Sequence, residues 1–286
     1  MFDFRPRLLD IHARPVDNVK TESSLTVITI ITDFGEKDGY VGVMKGVIWN
    51  IAPNVQLADI THEIPPQNIL TGAITLWRVA PFFPKGTIHI AVVDPGVGTQ
   101  RRPLAARIGD YYYVCPDNGL LTPLILDAER AGQPMSFVHL NKPEYWLRNV
   151  SHTFHGRDIF SPVAAHLAAG IPLEQLGTII TDPVRLNLPR PEQMTNGWRA
   201  HITVIDVFGN LTTDLPVAAL AGHRDVTIHI LGRTIDGLIE SYGHRQPGDL
   251  VALVDSEDFV EVAVVNGSAA NDLGAKLGDV VEVILS

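Results

Sequence analysis

A loop that combines glycines, an acid and two arginines is the part of the sequence best suited to chemistry. It reads Asp94-Pro95-Gly96-Val97-Gly98-Thr99-Gln100-Arg101-Arg102 and follows the apolar segment 87–93. Glycines let a backbone approach a ligand closely, and N–H groups in such loops often bind anions. The lysine and the following hydroxyl residue of a phosphate-binding P-loop are missing from it. The loop is therefore either a small-molecule site or a tight turn in which Asp94 and Arg101 form a structural salt bridge.

A second polar segment contains a histidine and reads Thr153-Phe154-His155-Gly156-Arg157-Asp158-Ile159-Phe160. An apolar run with helical spacing begins here, so Asp158 is expected to serve the N-terminus of a helix. His155 would then lie exposed, either as a catalytic group or as a structural histidine. His152 and His155 also suggest a metal, but without a third ligand at a standard spacing the sequence predicts no metal site.

Two segments near the C-terminus pair ligand-binding residue types with turn residues. Asp206-Val207-Phe208-Gly209-Asn210 contains an acid, an aromatic ring and an amide, which suit an amine, a purine face and a ring-edge hydrogen bond. The same residues also describe a hairpin turn. Asn266-Gly267-Ser268-Ala269-Ala270 has the same ambiguity, and by itself it favours a turn. Cys115 is expected to be a small buried hydrophobic residue.

Alternating strands and helices must position the N-terminal groups. Continuous apolar runs predict strands, and apolar residues at helical spacing predict helices. The predicted strands are 25–31, 55–57, 87–93 and 111–114, and the predicted helices are 41–51 and 69–77. This alternation predicts an α/β fold with a mostly parallel sheet flanked by helices. Ligands bind at the carboxyl ends of such strands, where acids stand that could line one pocket: Asp33, Asp59, Asp94 and Asp117.

The sequence changes character in its last third. Residues 182–198 contain three prolines and many polar residues, which is typical of a linker. Five strand-like segments follow, at 200–206, 226–231, 250–254, 259–265 and 280–285. We therefore predict an N-terminal tail over 1–24, an α/β domain over 25–190 and a smaller, mainly β domain over 191–286.

Charge and composition restrict the class of partner. The 286 residues include 22 basic and 32 acidic ones, and the formal net charge is −10. Such a charge disfavours nucleic acid and anionic membranes, and it favours a cationic small molecule. Apolar runs stay well below the ~20 residues that a membrane span needs. The one cysteine excludes an intrachain disulfide, so we expect a cytoplasmic protein.

Taken in order, these motifs resemble the S-adenosyl-L-methionine hydrolase family. Its members are also called SAM hydroxide adenosyltransferases and are related to the fluorinating and chlorinating enzymes that attack the same substrate. The resemblance extends from about Leu25 to the C-terminus. Besides the segments above, it includes Thr32-Asp33-Phe34-Gly35, Tyr40-Val41-Gly42, Lys45-Gly46, Asp59-Ile60-Thr61-His62-Glu63-Ile64, Pro116-Asp117-Asn118-Gly119-Leu120 and Ser151.

The resemblance implies that Asp94, Arg101 and His155 are the catalytic trio and that S-adenosyl-L-methionine is hydrolysed to adenosine and L-methionine without a metal or cofactor. The halogenating relatives have tyrosine, threonine and tyrosine there, with an extra loop for which this chain has no room between Arg102 and the segment 111–114. Water is therefore the implied nucleophile. A SAM-dependent halogenase, a metal-dependent hydrolase and a non-catalytic SAM- or adenosine-binding protein remain the alternatives.

The chemistry agrees with that assignment. A sulfonium departs as a neutral thioether, so the enzyme needs only to hold one water in line with ribose C5′ and remove its proton. Asp94 or His155 could take the proton, and the sequence leaves the choice open. Arg101 is expected to hold Asp94, and Arg102 to take no part.

The resemblance also implies the binding residues. They are Asp33 for the ribose hydroxyls, Phe208 and Asn210 for adenine, Asp206 and Ser256 for the methionine amine and carboxylate, and Ala269 for backbone contacts to adenine. It further implies a homotrimer in which each site is shared between the first domain of one subunit and the second domain of its neighbour.

Overall fold

The computed structural model describes residues 25–223 and 225–285, and the predicted N-terminal tail lies outside them. This part of the chain divides into two compact units between Leu186 and Asn187. None of the helices in these described residues is both long enough and apolar enough to span a bilayer.

A seven-stranded sheet forms the centre of the N-terminal unit, with the strand order β2-β1-β3-β5-β4-β6-β7. The strands are β1 (Val27–Thr32), β2 (Gln56–Thr61), β3 (Ile88–Val92), β4 (Pro103–Ile108), β5 (Tyr111–Pro116), β6 (Met135–His139) and β7 (Thr178–Ile180). The helices are α1 (Tyr40–Ile51), α2 (Ile69–Val79), α3 (Thr122–Ala131) and α4 (Ser161–Ala168).

The sheet is parallel in one half only. β2, β1, β3 and β5 run parallel, whereas β4, β6 and β7 pair antiparallel. The α/β architecture is confirmed, but the prediction of a mostly parallel sheet is correct only for the first half. β4 reaches β5 through Gly109 and Asp110 alone, and two residues can close a hairpin but not a parallel crossover.

Core side chains cover both faces of this sheet. Ile28 and Ile30 of β1 pack in one cluster with Met44 of α1, while Ile31 packs in another with Leu76 of α2. Strand side chains alternate between faces, so a strand buried on both sides reads as the continuous apolar run that predicted β1. β1, β3 and β5 end just before Asp33, Asp94 and Asp117, whereas Asp59 lies within β2.

The C-terminal unit is antiparallel. Its sheet has the order β12-β11-β15-β9-β10-β14-β13, with β8 paired to β9. The elements are β8 (Glu192–Met194), β9 (Gly197–Ile205), β10 (Leu211–Pro216), β11 (Val226–Ile230), β12 (Arg233–Asp236), β13 (Leu250–Val254), β14 (Phe259–Val264), β15 (Val280–Leu285) and the short helix α5 (Ala269–Leu273). Trp198, Ile202 and Val262 lie in its core, and a mainly β unit is thus confirmed.

Candidate active site

Arg101 connects Asp94 to His155 in the N-terminal unit. Its Nε donates to Asp94 Oδ1 at 3.0 Å, and its Nη2 donates to Asp94 Oδ2. The same Nη2 lies 3.0 Å from His155 Nδ1. The side chains of Arg101 and Asp94 are only 7% and 4% exposed. The structure therefore brings two residues of one loop together with a histidine 54 residues away from Arg101, in a place where charges interact strongly because little water screens them.

The contact with Arg101 determines the protonation of His155. A guanidinium only donates hydrogen bonds, so His155 Nδ1 must accept, and a neutral ring then has its proton on Nε2. Burial, and next the positive charge of Arg101, lower the pKa of His155 below its usual value. His155 is therefore neutral at physiological pH, and its unprotonated nitrogen already has a partner.

Arg101 retains one donor for a ligand. Its Nη1 is buried and has no hydrogen-bond partner among the described residues. The guanidinium carbon lies 5.4 Å from the centroid of the Phe160 ring. A buried donor without a partner costs about 1–3 kcal/mol, which a bound polar atom can recover.

Gly98 allows the loop that contains Arg101 to meet the loop that contains His155. Its φ of +76° lies in the left-handed region that favours glycine. A Cβ at this position would also collide with the backbone carbonyl oxygen of His152. Gly98 therefore serves close packing between two loops.

Asp158 fixes the loop that ends at His155. The carboxylate of Asp158 is fully buried and accepts hydrogen bonds from Ser151 N at 2.8 Å and Ser151 Oγ at 2.7 Å. Arg157 Nε donates to it at 2.6 Å, and Ser151 Oγ accepts from Phe154 N at 3.0 Å. Asp158 lies in the first turn of the helical segment, as expected, although its side chain makes no cap hydrogen bond there. Its side chain instead holds the preceding loop, and Gly156–Phe160 forms a π-helical turn before α4.

Asp33 lies at the end of β1 beside a cavity. Its Oδ2 accepts a hydrogen bond from Gln67 N at 2.8 Å. The cavity has a volume of about 560 Å³ and is lined by residues 33–38 and 62–66. Cavities of this size hold small ligands, and a carboxylate at the wall suits ligand hydroxyls.

Asp59 and Asp117 have partners within the protein, and Asp59 lies within β2 rather than at its predicted end. Asp59 Oδ2 accepts from Lys45 Nζ at 2.5 Å. Asp117 accepts from Arg102 Nε at 2.8 Å and from Val184 N at 2.7 Å. Neither Asp59 nor Asp117 lines the cavity beside Asp33, so the idea that four acids line a single pocket is wrong for these two.

Arg102 has a structural contact in this region. Besides Asp117, its guanidinium binds both carboxylate oxygens of Asp182 and the backbone carbonyl of Asp182. Arg102 thus attaches the segment after β7 to the ends of the strands. Asp182 lies 80 residues away in sequence, so no local pattern indicated the contact.

The C-terminal candidates form a separate set around a turn. Asp206 Oδ1 accepts from Phe208 N at 2.9 Å and from Asn210 N at 2.8 Å. Asp206 Oδ2 accepts from Asn210 Nδ2 at 3.0 Å, whereas the Phe208 side chain is 73% exposed. The prediction of a turn over these residues is therefore confirmed, and the same turn presents an aromatic ring to solvent.

Close packing at Gly209 joins the two C-terminal segments. Gly209 has a φ of +82°, and a Cβ there would collide with Ser268 Oγ. Ala270 N donates to Gly209 O at 2.9 Å, and Ala269 is fully buried. Ser256 is exposed in the turn between β13 and β14.

Sequence reasoning missed Tyr242 and Glu261. Tyr242 donates to Glu261 Oε1 at 2.6 Å, and Asn210 Nδ2 lies 3.4 Å from the Tyr242 hydroxyl. Burial and the hydrogen bond to Glu261 raise the pKa of Tyr242. Both donors of the Asn210 amide thus face protein groups, so its carbonyl oxygen is the atom available to a ligand donor. The partners come from distant segments and have no shared sequence motif.

Comparisons with known proteins extend along almost the whole chain. Residues 28–177 match the model of the SAM hydroxide adenosyltransferase N-terminal domain, and residues 200–282 match that of the C-terminal domain. A Salinispora arenicola protein named (R)-S-adenosyl-L-methionine hydrolase is 39% identical, with 90% of this chain and 97% of that protein covered. A fluorinase from an Actinoplanes species is 29% identical, with coverage of 83% and 90%. The structure of an uncharacterized conserved protein from Thermotoga maritima superposes with a TM-score of 0.83 at 36% identity, with coverage of 90% and 99%.

Proposed function

This chain belongs to the SAM hydroxide adenosyltransferase family, and we propose that it hydrolyses S-adenosyl-L-methionine to adenosine and L-methionine. Relatives at 39% identity have the corresponding hydrolase name. The observation that carries the proposal is the buried contact of Arg101 with both Asp94 and His155. According to the family resemblance, the halogenating relatives have other residue types at the positions of Asp94, Arg101 and His155.

In the proposed reaction, a water oxygen attacks ribose C5′ as the C5′–S bond breaks. The bonding electron pair stays on sulfur, which leaves as the neutral thioether of methionine. Because this leaving group needs no proton, the protein must only align the water and remove one of its protons.

Asp94 is the group that we assign to orient the water and take its proton. A carboxylate has about four acceptor sites, and the contact with Arg101 uses two of them. His155 has its acceptor nitrogen occupied by Arg101, so in this geometry it holds Arg101 and is not the base. The unpartnered Nη1 of Arg101 is the donor that would hold the water oxygen and stabilise the hydroxide character that it gains as Asp94 removes its proton.

The remaining candidates are assigned to binding. Asp33 lies at the wall of a cavity and would bind the ribose hydroxyls. The exposed ring of Phe208 would stack on adenine, and the Asn210 carbonyl would accept from the adenine amino group. Backbone groups at Ala269 would contact adenine.

Asp206 and Ser256 stay assigned to the methionine amine and carboxylate. Asp206 already accepts three hydrogen bonds from its own turn, so its contribution to an ammonium group would be mainly its charge.

We further propose that the protein is a homotrimer without a metal or cofactor, as the family resemblance implies. Light scattering is expected to give about three times the mass of one chain. A monomer that is active at the same dilution would contradict a shared site.

One labelling experiment tests the proposed reaction. Incubation with S-adenosyl-L-methionine in H₂¹⁸O is expected to release adenosine and methionine in equal amounts, with the label in the adenosine 5′-hydroxyl. Asp94→Asn should abolish release, whereas Glu129→Gln, in the exposed pair with Arg185, should not. No adenosine from the wild type, or unlabelled adenosine, would overturn the proposal.

The same assay distinguishes the alternatives. A 5′-halogenated nucleoside formed in chloride or fluoride would indicate a halogenase. Loss of activity in a strong chelator, with recovery on adding metal, would indicate a metal-dependent hydrolase. Tight binding of S-adenosyl-L-methionine without turnover would indicate a binding protein.

A further inference from the structure

A buried histidine lies directly behind the turn that contains Asp33. His62 is 4% exposed, and its Nδ1 lies 2.9 Å from Thr32 Oγ1. On the other side of the ring, Nε2 lies 3.0 Å from Asp59 Oδ1. Lys45 of α1 binds the second oxygen of Asp59 at 2.5 Å. Four side chains therefore connect α1 and β2 to the last residue of β1.

The protons in this series have one consistent arrangement. Burial alone would raise the pKa of Asp59, but its interactions with Lys45 and His62 together outweigh burial and lower it, so Asp59 is a carboxylate. A carboxylate only accepts, which places the ring proton of His62 on Nε2. The contact between Nε2 and Asp59 is within ion-pair distance but does not meet the geometry of a hydrogen bond. Nδ1 then accepts from the Thr32 hydroxyl.

This series meets the Asp33 turn at two points. Thr32 Oγ1 accepts from Phe34 N at 3.2 Å, and the His62 carbonyl accepts from Gly35 N at 2.8 Å. Gly35 has a φ of +65°, so the turn uses a conformation that few other residues adopt. Both arms of the contact, residues 33–38 and 62–66, line the same cavity.

A hydroxyl, a histidine and a carboxylate in this order resemble a nucleophilic triad, but the surroundings exclude that use. Thr32 is fully buried, and its hydroxyl is engaged by His62 and Phe34 N. A nucleophile must reach the substrate, and this oxygen does not.

We propose instead that Thr32, His62 and Asp59 are positioning residues that orient the Asp33 carboxylate toward the ribose hydroxyls. The proposal rests on the assigned role of Asp33 in the proposed function. It predicts an effect on substrate affinity that exceeds the effect on the chemical step, because these residues act on a binding group. Among the hydrogen bonds of the described residues, none joins them to Asp94, Arg101 or His155.

The chain offers a matched control on the same strand. Thr29 of β1 also places its hydroxyl against a buried histidine, with Oγ1 2.7 Å from His89 Nδ1. Both residues of this second pair are fully buried and lie before the strand end. Thr29→Val and His89→Gln therefore remove an equivalent hydrogen bond without touching the Asp33 turn.

The experiment compares Thr32→Val and His62→Gln with Thr29→Val and His89→Gln. Steady-state adenosine release measures KM and kcat, and calorimetry measures the affinity for adenosine. Losing one buried hydrogen bond is expected to raise KM and the adenosine Kd about tenfold in the first pair, with kcat changed less than about twofold. The second pair should leave KM and the adenosine Kd unchanged. Thr32→Ser, which retains the hydroxyl, should keep both close to their wild-type values.

Asp33→Ala removes the binding carboxylate itself and therefore gives the largest expected rise in KM and in the adenosine Kd. Equal changes in both pairs, unchanged KM in Thr32→Val and His62→Gln, or an Asp33→Ala variant that binds adenosine normally would each overturn the positioning role. If wild-type protein binds adenosine but releases none from S-adenosyl-L-methionine, the proposed reaction fails, while weaker adenosine binding by Thr32→Val still supports positioning.

Discussion

The two sets of candidate residues differ in how the protein holds them. Asp94 and Arg101 are almost fully buried and bind each other at two points. Phe208 is 73% exposed at the tip of a turn, and its neighbour Val207 is 92% exposed. A buried ion pair keeps one geometry because breaking it leaves an unpaired charge. An exposed aromatic ring instead contributes to ligand affinity, because a ligand that covers it removes apolar surface from water. The first set is therefore suited to chemistry and the second to recognition.

Arg101→Lys should have the largest effect. Lysine cannot contact Asp94 through two donors and reach His155 as well, so kcat is expected to fall about 10²–10³-fold with a smaller change in KM. Steady-state kinetics measure both constants. Arg185→Lys, at an exposed two-point pair with Glu129, is the control and should change neither. A change confined to KM would contradict the division between the two sets.

Phe208→Ala should weaken substrate binding and leave the chemical step almost unchanged. Removing a ring that stacks on a base costs about 1–3 kcal/mol, which is roughly fivefold to 150-fold in affinity. KM is expected to rise by that factor while kcat stays within about threefold. The melting temperature should not decrease, because the ring is exposed. Val207→Ala is the control for an exposed apolar residue in the same turn, and a fall in kcat alone would place Phe208 in the chemical step.

Ser151→Ala tests whether the buried set depends on its supporting loop. The hydroxyl joins Asp158 to Phe154 N, and its loss should displace His155 and lower kcat about fivefold to tenfold. Ser161→Ala removes another buried hydroxyl, bound to Gly156 O, and is a demanding control from the same region. Equal losses in both variants would mean a general loss of packing rather than positioning of His155.

His89 lies within β3, where it contacts Thr29 of β1, and its replacement should affect only stability. Burial lowers its pKa from 6.5 to about 3, so the unfolded chain binds a proton that the folded chain excludes between these values. Stability should therefore decrease as pH falls from 6.5 toward 3, by at most about 1.4 kcal/mol per pH unit from this residue. Urea unfolding of the wild type and of His89→Gln at several pH values measures the free energy of unfolding. If this free energy changes with pH in the same way in both proteins, the prediction is wrong.

Local pattern predicted the elements around the parallel strands well. The predicted helix 41–51 corresponds to α1 (Tyr40–Ile51), and the predicted strand 25–31 to β1 (Val27–Thr32). It did not predict β4, β6 and β7, the antiparallel half of the sheet. β4 begins with Pro103 and includes an exposed Arg107, so it lacks the continuous apolar run of a strand buried on both faces.

Partners that lie far apart in sequence escaped prediction for a different reason. Thr32 and His62 are 30 residues apart, and Arg102 and Asp182 are 80 apart. Residue type shows that each of these groups can form a hydrogen bond, but only the packing of the sheet selects which partner it meets. For the same reason Asp59 and Asp117 looked equivalent to Asp33 although both are paired within the protein.

By itself, the sequence determined the helices and strands with clear periodicity, the division into an α/β part and a β part, and the family. These depend on local spacing and on motifs, which can be recognised in the sequence without knowledge of the fold. The tertiary structure decided that Arg101 lies between Asp94 and His155, that the carboxylate of Asp158 supports the His155 loop, and which strands run antiparallel. Such contacts result from packing summed over the whole unit, and no local stretch of chain contains that information.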